Sequence, residues 1–454
     1  MLPLTFKEIS EPLGNVRVPE GSFADVCTDT RKITPGCLFI ALKGDRFDGH
    51  DFAAKALELG AAAVVAEKDC SLGDKQILVK STRDALLKLA GYYRSLFDIP
   101  FIGITGSVGK TTTKEMIWTV MSSKYKTLKN EGNLNNEIGV PMTLFRLDKS
   151  YEAAVIEMGM SNFGEISRIT AAVKPDAAVI TNIGVSHIEN LGSREGILKA
   201  KLEILESMKP GSPVILNGDD DILMKADCGT HPVIRYAIEN SGCAYQALDI
   251  TSTDAETVFT CGFDGGPVRV CLPFTGRHNI YNSLAAAAVG ERFGVSPSQG
   301  FEALKNYRTT GMRQKIVKKY GITFIEDCYN ASPDSQAAAM SVLGAMDCKR
   351  KIAVIGDMLE LGDYSEKAHR DVGGYAAENG VDILFTYGER AKLCAAAAKE
   401  RGVKDTRVFL DKAELTSELF AALEKGDCVL FKASRGMKLE EVIEGIYSRF
   451  EEEK

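Results

Sequence analysis

A glycine-rich turn followed by Lys-Thr, at residues 105–112, constrains this chain more than any other stretch of its sequence. The apolar run Pro100–Ile104 precedes it and is typical of a buried strand, and residues 114–120 after it are typical of the start of a helix. The order of strand, glycine-rich turn, Lys-Thr and helix is that of a phosphate-binding loop. A plain glycine turn is the alternative interpretation, and the flanking strand and helix argue against it.

The chemistry of such a loop follows from its residue types. Glycines let backbone N–H groups converge on phosphate oxygens, and a helix N-terminus adds partial positive charge. Lys110 is expected to reach the β- and γ-phosphates, and the Thr111 hydroxyl to bind Mg²⁺. The spacing departs from the usual one, because Ile104 stands where the first glycine is expected. The predicted nucleotide-binding residues of the loop are Gly106, Ser107, Val108, Gly109, Lys110, Thr111 and Thr112.

Bulk properties exclude several classes of protein. A length of 454 residues predicts about three domains. The net charge of −7 and the absence of a long basic run argue against nucleic-acid binding. No apolar stretch approaches the length of a membrane span, and residues 1–10 lack the features of a secretory signal. The 11 cysteines form no C-x-x-C pair, which favours free thiols in a cytoplasmic protein.

The pattern of apolar runs predicts an α/β protein with three domains, at residues 1–98, 99–312 and 313–454. Continuous apolar runs separated by helical stretches predict a parallel sheet covered on both faces. In the central region these runs are residues 153–156, 177–180 and 214–216, with an antiparallel insertion expected around 244–273. The third region is predicted to be a doubly wound, Rossmann-like domain with strands at 323–326, 352–355, 383–386 and 429–432.

Two polar residues follow strands of the predicted central sheet. Glu157 ends the run 153–156, and His187 comes shortly after the run 177–180. Ligands of open α/β sheets bind beyond the carboxyl ends of the strands, so Glu157 is well placed to hold Mg²⁺. A capping or surface role for Glu157, and a structural role for His187, are the alternatives.

Lys201 lies in the middle of an apolar helix face. If residues 193–208 form one helix, its apolar side chains fall within one arc with Lys201 near the centre, whereas Lys199 falls on the opposite side. A bare ammonium is costly there. The side chain can extend to water, pair with a carboxylate, or lose its proton so that a neutral amine becomes available for chemistry. Periodicity does not choose among these outcomes.

Further polar residues follow other predicted strands and helices. Asn279 and Asn282 open an alanine-rich helix and offer donors and acceptors suited to an adenine edge. The loop 327–333, Asp357, and Lys432 with Arg435 all follow strands of the third region. Any one of these could be an ordinary turn or a helix cap, but their shared position at one sheet edge favours a common site.

Together these stretches resemble the Mur ligase family, the ATP-dependent amide-forming enzymes of peptidoglycan precursor synthesis. The resemblance covers nearly the whole chain. It rests on the phosphate loop, Glu157 in Glu-Met-Gly, His187 in Asn-Ile-Gly-x-x-His, Lys201 in Ala-Lys-x-Glu-Ile, and Arg277-His278-Asn279 with Asn282. Four segments resemble the member that takes a dipeptide as its amine substrate: residues 29–52, 132–141, 327–333 and 356–362.

The resemblance implies the substrates, cofactors and site residues. The substrates would be UDP-N-acetylmuramoyl-tripeptide, D-alanyl-D-alanine and ATP, joined through an acyl phosphate in a cytoplasmic, monomeric ligase. Catalysis would use Lys110, Glu157, His187 and Lys201, with a carbamylated Lys201 and two Mg²⁺ ions held by Thr111, Glu157, His187 and Lys201. The nucleotide would also contact Asn279, Asn282, Arg313, Asp327 and Tyr329. The other substrates would contact Asp29, Thr30, Arg31, Asn135, Asn136, Asn330, Lys432 and Arg435.

Two competing hypotheses remain at this point. A sibling ligase that adds the third amino acid shares the fold and the mechanism. A nucleotide-gated binding protein without ligase activity is an alternative from a different class. The combination of Glu157, His187 and Lys201 argues against the second, because an ATP switch has no need of a second metal ion.

Overall fold

The N-terminal domain carries a small parallel sheet in the computed structural model, which describes residues 1–44, 47–309 and 311–452. Strands β3, β4, β5 and β6 run parallel in that order, and β1 pairs with β2 in a separate antiparallel ribbon. The elements of this domain are β1 Leu4–Thr5, α1 Phe6–Ser10, β2 Ser22–Phe23, β3 Val26–Cys27, β4 Leu38–Ile40, α2 Ala53–Glu58, β5 Ala63–Ala66, β6 Gln76–Leu78 and α3 Thr82–Ser95.

The central domain is built on a nine-stranded sheet in the order β15-β14-β13-β12-β11-β10-β7-β9-β8. The strands from β13 to β8 are parallel. Its elements are β7 Phe101–Thr105, α4 Lys110–Ser122, β8 Thr127–Lys129, α5 Gly139–Leu144, β9 Ala153–Glu157, α6 Glu165–Val173, β10 Ala177–Ile180, α7 Ile188–Leu191, α8 Arg194–Leu202, β11 Val214–Asn217, β12 Val233–Ala237, β13 Tyr245–Ser252, β14 Thr257–Gly262, β15 Val268–Leu272, α9 Arg277–Arg292 and α10 Pro297–Leu304.

The C-terminal domain has a six-stranded sheet in the order β16-β17-β21-β18-β19-β20, parallel except for the edge strand β16. Apolar clusters cover both faces of the sheet, which confirms the predicted doubly wound domain. Its elements are β16 Lys315–Lys319, β17 Ile322–Glu326, α11 Pro333–Ala345, β18 Arg350–Gly356, α12 Ser365–Glu378, β19 Ile383–Tyr387, α13 Lys392–Glu400, β20 Asp405–Phe409, α14 Lys412–Ala422, β21 Asp427–Lys432 and α15 Glu440–Glu452.

Helix α3 connects the cores of the first two domains. Its buried side chains belong to one apolar cluster that contains both β4–β6 of the small sheet and β9 of the large one. The Tyr93 hydroxyl donates to the Leu147 carbonyl at 2.6 Å, and Arg94 Nε donates to the Val173 carbonyl at 2.7 Å. The core is therefore continuous across the predicted boundary at residue 98, and α3 fixes the small sheet against the central domain.

Two predicted elements can be compared in detail with the structure. The predicted antiparallel insertion is confirmed as β13–β15, and the structure adds that it extends the central sheet at one edge. The predicted helix 193–208 is wrong in its length, because α8 ends at Leu202 and a 3₁₀ turn, Glu203–Leu205, follows it. The Glu203 carboxylate caps the start of α6, because it accepts from the backbone N–H groups of Gly164 and Ser167. Among the described residues, no helix combines the length and apolar character that a membrane span requires.

Candidate active site

The carboxyl ends of β7, β9 and β10 open into a cleft of about 430 Å³ between the central and C-terminal domains. Because these three strands are adjacent, the loops that follow them meet at one point of the sheet edge. The predicted site residues that line the cleft are Ser107, Val108, Gly109, Lys110, Thr111, Thr112, Asn135, Asn136, Glu157, His187, Asn279, Asn282, Arg313, Asp327, Tyr329, Asn330 and Lys432.

The phosphate loop lies between β7 and α4, and two of its glycines are required by their surroundings. Gly106 has φ +152° and packs against Thr181, so that a Cβ at this position would collide with the threonine Oγ1. Gly109 has φ +84° and precedes the first residue of α4. The segment that follows β10 holds the loop, since Val108 N donates to Asn182 Oδ1 at 2.8 Å. The backbone is therefore fixed in a shape that presents the N-terminus of α4 to the cleft.

Lys110 begins α4 and folds back over the loop. Its Nζ donates to the carbonyl oxygens of Gly106 at 2.7 Å and Ser107 at 3.2 Å. Burial lowers the pKa of Lys110, an effect that Glu157 opposes and Arg313 reinforces. The ammonium group is thus placed where a phosphate chain on the loop would lie against it.

Thr111 and Glu157 bring two oxygen atoms together at the head of the loop. Thr111 Oγ1 donates to Glu157 Oε2 at 2.8 Å, and both residues are buried. The other carboxylate oxygen, Oε1, accepts from Asn135 Nδ2 at 2.8 Å. The predicted pair is therefore in contact, and hydroxyl and carboxylate oxygens are ligands that suit Mg²⁺.

His187 lies where the central and C-terminal domains touch. It has φ +63°, and its Nδ1 is 2.8 Å from Oε2 of Glu360, which has φ +62°. This contact lowers the pKa of the Glu360 carboxyl below its ordinary value. The side chain predicted as a metal ligand is consequently in contact with a carboxylate that sequence analysis did not single out.

Lys201 is buried on α8, with 2% of its surface exposed, whereas Lys199 is exposed. The periodicity of the sequence therefore identified the buried lysine correctly, although the helix is shorter than predicted. Burial, together with the positive charge of Lys110, lowers the pKa of Lys201 well below its ordinary value. Within the described part of the chain, Lys201 makes no ion pair or hydrogen bond through Nζ.

The start of α9 forms one wall of the cleft through its amide side chains. Asn282 Oδ1 accepts from Thr113 at 3.0 Å, and Asn282 Nδ2 donates to Asn279 Oδ1 at 3.3 Å. Asn279 Nδ2 donates to the Thr275 carbonyl at 2.8 Å and to Gln314 Oε1 at 3.2 Å. The two asparagines are thus preorganised by their neighbours, and Gln314 connects them to the C-terminal domain.

The opposite wall comes from the C-terminal strand ends. Lys432 Nζ donates to Asp327 Oδ2 at 2.6 Å and to the Asn330 carbonyl at 3.2 Å. The Arg313 guanidinium lies over the Tyr329 ring, 4.1 Å from its centroid. Asp357 does not reach the cleft, because its Oδ1 accepts from the backbone N–H groups of Arg390 and Ala391 before α13. Its carboxylate fixes the turn before α13, which is the ordinary structural role considered for it from the sequence.

Several predicted residues do not line this cleft. Arg435 pairs with Glu440 and is half exposed. Asp29, Thr30 and Arg31 lie in the N-terminal domain, where Asp29 caps a 3₁₀ turn. The Arg31 hydrogen bonds lower the pKa of the Asp29 carboxyl to about 2. Their proposed contacts with substrate stay predictions.

Four residues that contact the site were not predicted from the sequence: Lys114, Asn130, Gln314 and Glu360. Lys114 had a usable signal, since it lies three residues after Thr111 and therefore on the same side of the helix. The other three lie in loops, where hydrogen-bond partners distant in sequence carry no periodic signal.

The chain is similar in sequence to known proteins over nearly its whole length. Three Mur ligase profiles match the chain. Residues 23–94 match the Mur ligase family catalytic domain, residues 104–290 match the Mur ligase middle domain, and residues 312–435 match the Mur ligase glutamate ligase domain. A UDP-N-acetylmuramoyl-tripeptide–D-alanyl-D-alanine ligase of Bacillus subtilis is 40% identical over 98% of this chain and 99% of its own. The enzyme of the same name from Escherichia coli is 36% identical over 98% of this chain and 99% of its own.

Solved structures match over the same extent. A crystal structure of MurF from Acinetobacter baumannii is 32% identical and superposes with a TM-score of 0.91, covering 98% of this chain and 99% of its own. MurF from Thermotoga maritima in complex with ADP is 29% identical, with a TM-score of 0.86 and coverage of 95% and 98%.

Proposed function

Because this chain belongs to the Mur ligase family, we propose that it joins D-alanyl-D-alanine to UDP-N-acetylmuramoyl-tripeptide in an ATP-dependent step of peptidoglycan synthesis. The products would be the UDP-muramoyl-pentapeptide, ADP and phosphate. Curated relatives at 30% to 40% identity over at least 92% of this chain carry that ligase name. The same reaction supports cell-wall synthesis and, through it, cell shape and division.

One observation about the cleft carries the proposal. The phosphate loop with its Thr111–Glu157 pair and the Asp327–Lys432 pair of the C-terminal domain line the same cavity. A nucleotide on the loop would therefore lie against both domains, and the γ-phosphate would face the space between them. This arrangement suits transfer of a phosphoryl group to a substrate enclosed by domain closure.

The chemistry requires activation of a carboxylate. A free carboxylate is a poor acceptor for an amine, so the tripeptide's terminal carboxylate would first attack the γ-phosphate to form an acyl phosphate. The amine of the dipeptide would then attack the carbonyl carbon, and phosphate would leave. The Lys110 ammonium would neutralise negative charge that develops on the transferring phosphoryl group. The two walls of the cleft would exclude water that would otherwise hydrolyse the intermediate.

Magnesium fits the residues at the head of the loop. The Thr111 hydroxyl and the Glu157 carboxylate are hard oxygen donors in contact with each other. Among residues 1–44, 47–309 and 311–452, no group of three His, Cys, Asp or Glu side chains is placed to hold a metal ion. This is the pattern expected where nucleotide phosphates complete the coordination. Bound Mg²⁺ would supply charge neutralisation at the β- and γ-phosphates.

Carbamylation fits the surroundings of Lys201. Burial and the charge of Lys110 lower the pKa of Lys201, which favours loss of its proton, and the neutral amine is the form that reacts with CO₂. The resulting carbamate would carry negative charge toward Lys110 and would provide oxygen atoms for a second Mg²⁺ together with Glu157 and His187. The structure thus favours the third of the outcomes that the sequence left open for Lys201.

The remaining substrate contacts are part of the same proposal. The N-terminal domain, residues 1–98, would bind the UDP moiety near Asp29, Thr30 and Arg31. Residues 99–312 would hold ATP and present Asn135 and Asn136 to the peptide. Residues 313–454 would supply Asn330, Lys432 and Arg435 for the peptide and the incoming dipeptide. We propose that the enzyme acts as a monomer in the cytoplasm.

The test is phosphate release from ATP with UDP-N-acetylmuramoyl-tripeptide, comparing D-alanyl-D-alanine with single amino acids as the amine substrate. We expect turnover that requires both the UDP-tripeptide and the dipeptide. Glu157→Gln serves as the matched control, because it keeps the shape of the side chain and removes the charge that would bind Mg²⁺.

Each other outcome would change the assignment in a specific way. Turnover with a single amino acid on a shorter UDP-peptide would move the assignment to a sibling ligase. ATP binding without turnover on any pair of substrates would favour the nucleotide-gated binding protein. Either result would overturn the proposed substrates.

A further inference from the structure

Lys114 is a fully buried lysine that the proposed mechanism does not use. It lies on α4, one helical turn after Lys110, and none of its surface is exposed. Its Nζ donates to the Asn130 carbonyl at 2.8 Å, and it lies 3.3 Å from Glu115 Oε1 and 3.7 Å from Glu157 Oε2. A buried ammonium is tolerated when it is paired in this way. The side chain therefore connects the phosphate-loop helix to the end of β8.

Asn130 is the second member of this arrangement, and it is 1% exposed. Its Oδ1 accepts from Glu157 N at 3.0 Å, and its Nδ2 donates to the Glu157 carbonyl at 2.9 Å. The β8–β9 ladder ends at the pair Lys129 and Val155, so the Asn130 amide side chain continues the ladder where the backbone of β8 turns away. It fixes the backbone of Glu157 at the end of β9.

The same loop also holds the side chain of Glu157. Asn130 Nδ2 donates to the Leu134 carbonyl at 2.9 Å, which fixes the loop, and Asn135 Nδ2 from that loop donates to Glu157 Oε1. Gly159 N donates to the Asn135 carbonyl at 2.8 Å, and a Cβ at Gly159 would lie 2.9 Å from the Asn135 amide carbon. One carboxylate oxygen is thus held by the loop, and Oε2 is left facing Thr111.

We propose that Asn130, held in place by Lys114, is a positioning residue that sets the direction in which Glu157 presents its carboxylate to magnesium. This inference rests on the proposed function, in which Glu157 binds the ion. Residues that orient a metal ligand without touching the metal commonly change affinity by about ten- to a hundredfold when they are replaced. Neither Lys114 nor Asn130 needs to contact the ion or the nucleotide for this effect.

The first measurement needs no metal and no turnover. Hydrogen exchange of a peptide covering residues 153–160 is compared in the metal-free wild type and in Asn130→Ala. We expect faster exchange at Glu157, because its N–H loses the Asn130 acceptor, and at Gly159, because the loop is released. Asn379→Ala is the matched control, since that amide also donates to a backbone carbonyl but lies at the end of α12 in the C-terminal domain.

The second measurement is the Mg²⁺ concentration that half-saturates binding of a fluorescent ADP. We expect it to rise by about ten- to a hundredfold in Asn130→Ala, and in the same direction in Lys114→Met, which keeps the side-chain volume. Asn130→Asp keeps an acceptor for Glu157 N, but it loses the donor to the Glu157 and Leu134 carbonyls and adds a negative charge, so it is used only if the alanine variant does not fold. Cooperative unfolding of each variant is checked first.

Two outcomes separate this inference from the proposed function. An unchanged Mg²⁺ requirement in folded Asn130 variants, whatever their stability, would reduce the residue to a structural role and overturn the inference. If the wild-type protein does not bind ADP in a Mg²⁺-dependent way, the result counts against the proposed function. Hydrogen exchange still tests the role of Asn130 in that case, because an unchanged rate at Glu157 in Asn130→Ala would contradict it.

Discussion

Lys114 and Lys201 are both buried in the central domain, and their ammonium groups meet opposite surroundings. Lys114 has a carbonyl and two carboxylates within 4 Å of Nζ. Lys201 has no such partner among the described residues, and the charge that lowers its pKa further is the ammonium of Lys110. Both side chains are buried, but they differ in the charged and polar atoms around the ammonium group.

The difference shows that burial alone does not assign a role to a lysine. A paired buried cation stabilises the residues around it and is costly to remove. An unpaired buried ammonium is costly to keep charged, so burial lowers the pKa of Lys201. Lys114 is therefore interpreted as a structural cation that organises Glu157, and Lys201 as a reactive amine.

The largest expected effect that sharpens this comparison is the loss of activity in Lys201→Ala. Removing the proposed metal ligand should cost about 4 kcal/mol, or roughly a thousandfold in turnover. Phosphate release with saturating substrates measures it. A small carboxylate such as formate should restore part of the activity, because it can supply the missing oxygen atoms.

Lys199→Ala is the matched control for that experiment, since Lys199 is on the same helix and exposed. It should keep nearly full activity. Full activity in Lys201→Ala would rule out the metal-binding role, and an equal loss in both variants would show that the face of the helix does not matter.

The next effect in size is on stability, in Lys114→Met. Removing the cation takes a positive charge away from the buried carboxylates of Glu115 and Glu157 and a donor from the Asn130 carbonyl, which should lower the free energy of unfolding by about 3 to 5 kcal/mol. Urea unfolding followed by the fluorescence of Trp118 measures it, because this tryptophan is the only one in the chain and lies on the same helix.

Lys124→Met is the control for Lys114→Met, because Lys124 is exposed just beyond the end of α4. We expect a change of about 0.5 kcal/mol or less for it. Equal midpoints for the two variants would show that the pairing of Lys114 contributes nothing, and the contrast with Lys201 would then fail.

The comparison of Lys114 with Lys201 also shows which features of the site could be predicted from the sequence. Periodicity identified Lys201, because a helix face is a local property that survives even when the helix ends early at Leu202. The phosphate loop and the strand-end position of Glu157 are local in the same sense. The parallel sheets followed from continuous apolar runs, and the comparisons with known structures agree with the predicted α/β class.

What the sequence could not supply are partners distant along the chain. Asn130 and Glu157 are 27 residues apart and meet only because β8 and β9 are neighbours in the sheet. Glu360 reaches His187 from another domain. The edge strand β16 was missed for a different reason, since its sequence Lys-Ile-Val-Lys-Lys is charged and exposed, as edge strands often are.

A third effect, smaller and opposite in sign to that of Lys114→Met, is expected for Lys201→Met. An apolar side chain of similar length removes the cost of holding an unpaired amine in the core, so the free energy of unfolding should rise by about 1 to 2 kcal/mol at neutral pH. The same Trp118 measurement applies, in buffer free of CO₂ so that Lys201 stays unmodified. A loss of stability comparable to that of Lys114→Met would contradict the absence of a partner for Lys201.

The smallest expected effect is the pH dependence of the stability that Lys201→Met gains over the wild type. The pKa of Lys201 is lowered in the folded protein, and its ordinary value of 10.5 applies when the chain is unfolded. Between these two values the unfolded chain binds more protons at Lys201, so the stability of the wild type rises with pH relative to Lys201→Met and the gain of about 1 to 2 kcal/mol at neutral pH shrinks. The stability difference between the two proteins should therefore narrow as pH rises from 7 toward 10.

Urea midpoints at several pH values measure this stability difference, and Lys199→Met should show no such narrowing. A difference that stays constant over this range would mean that Lys201 keeps its proton when folded, and the two buried lysines would then be alike in charge.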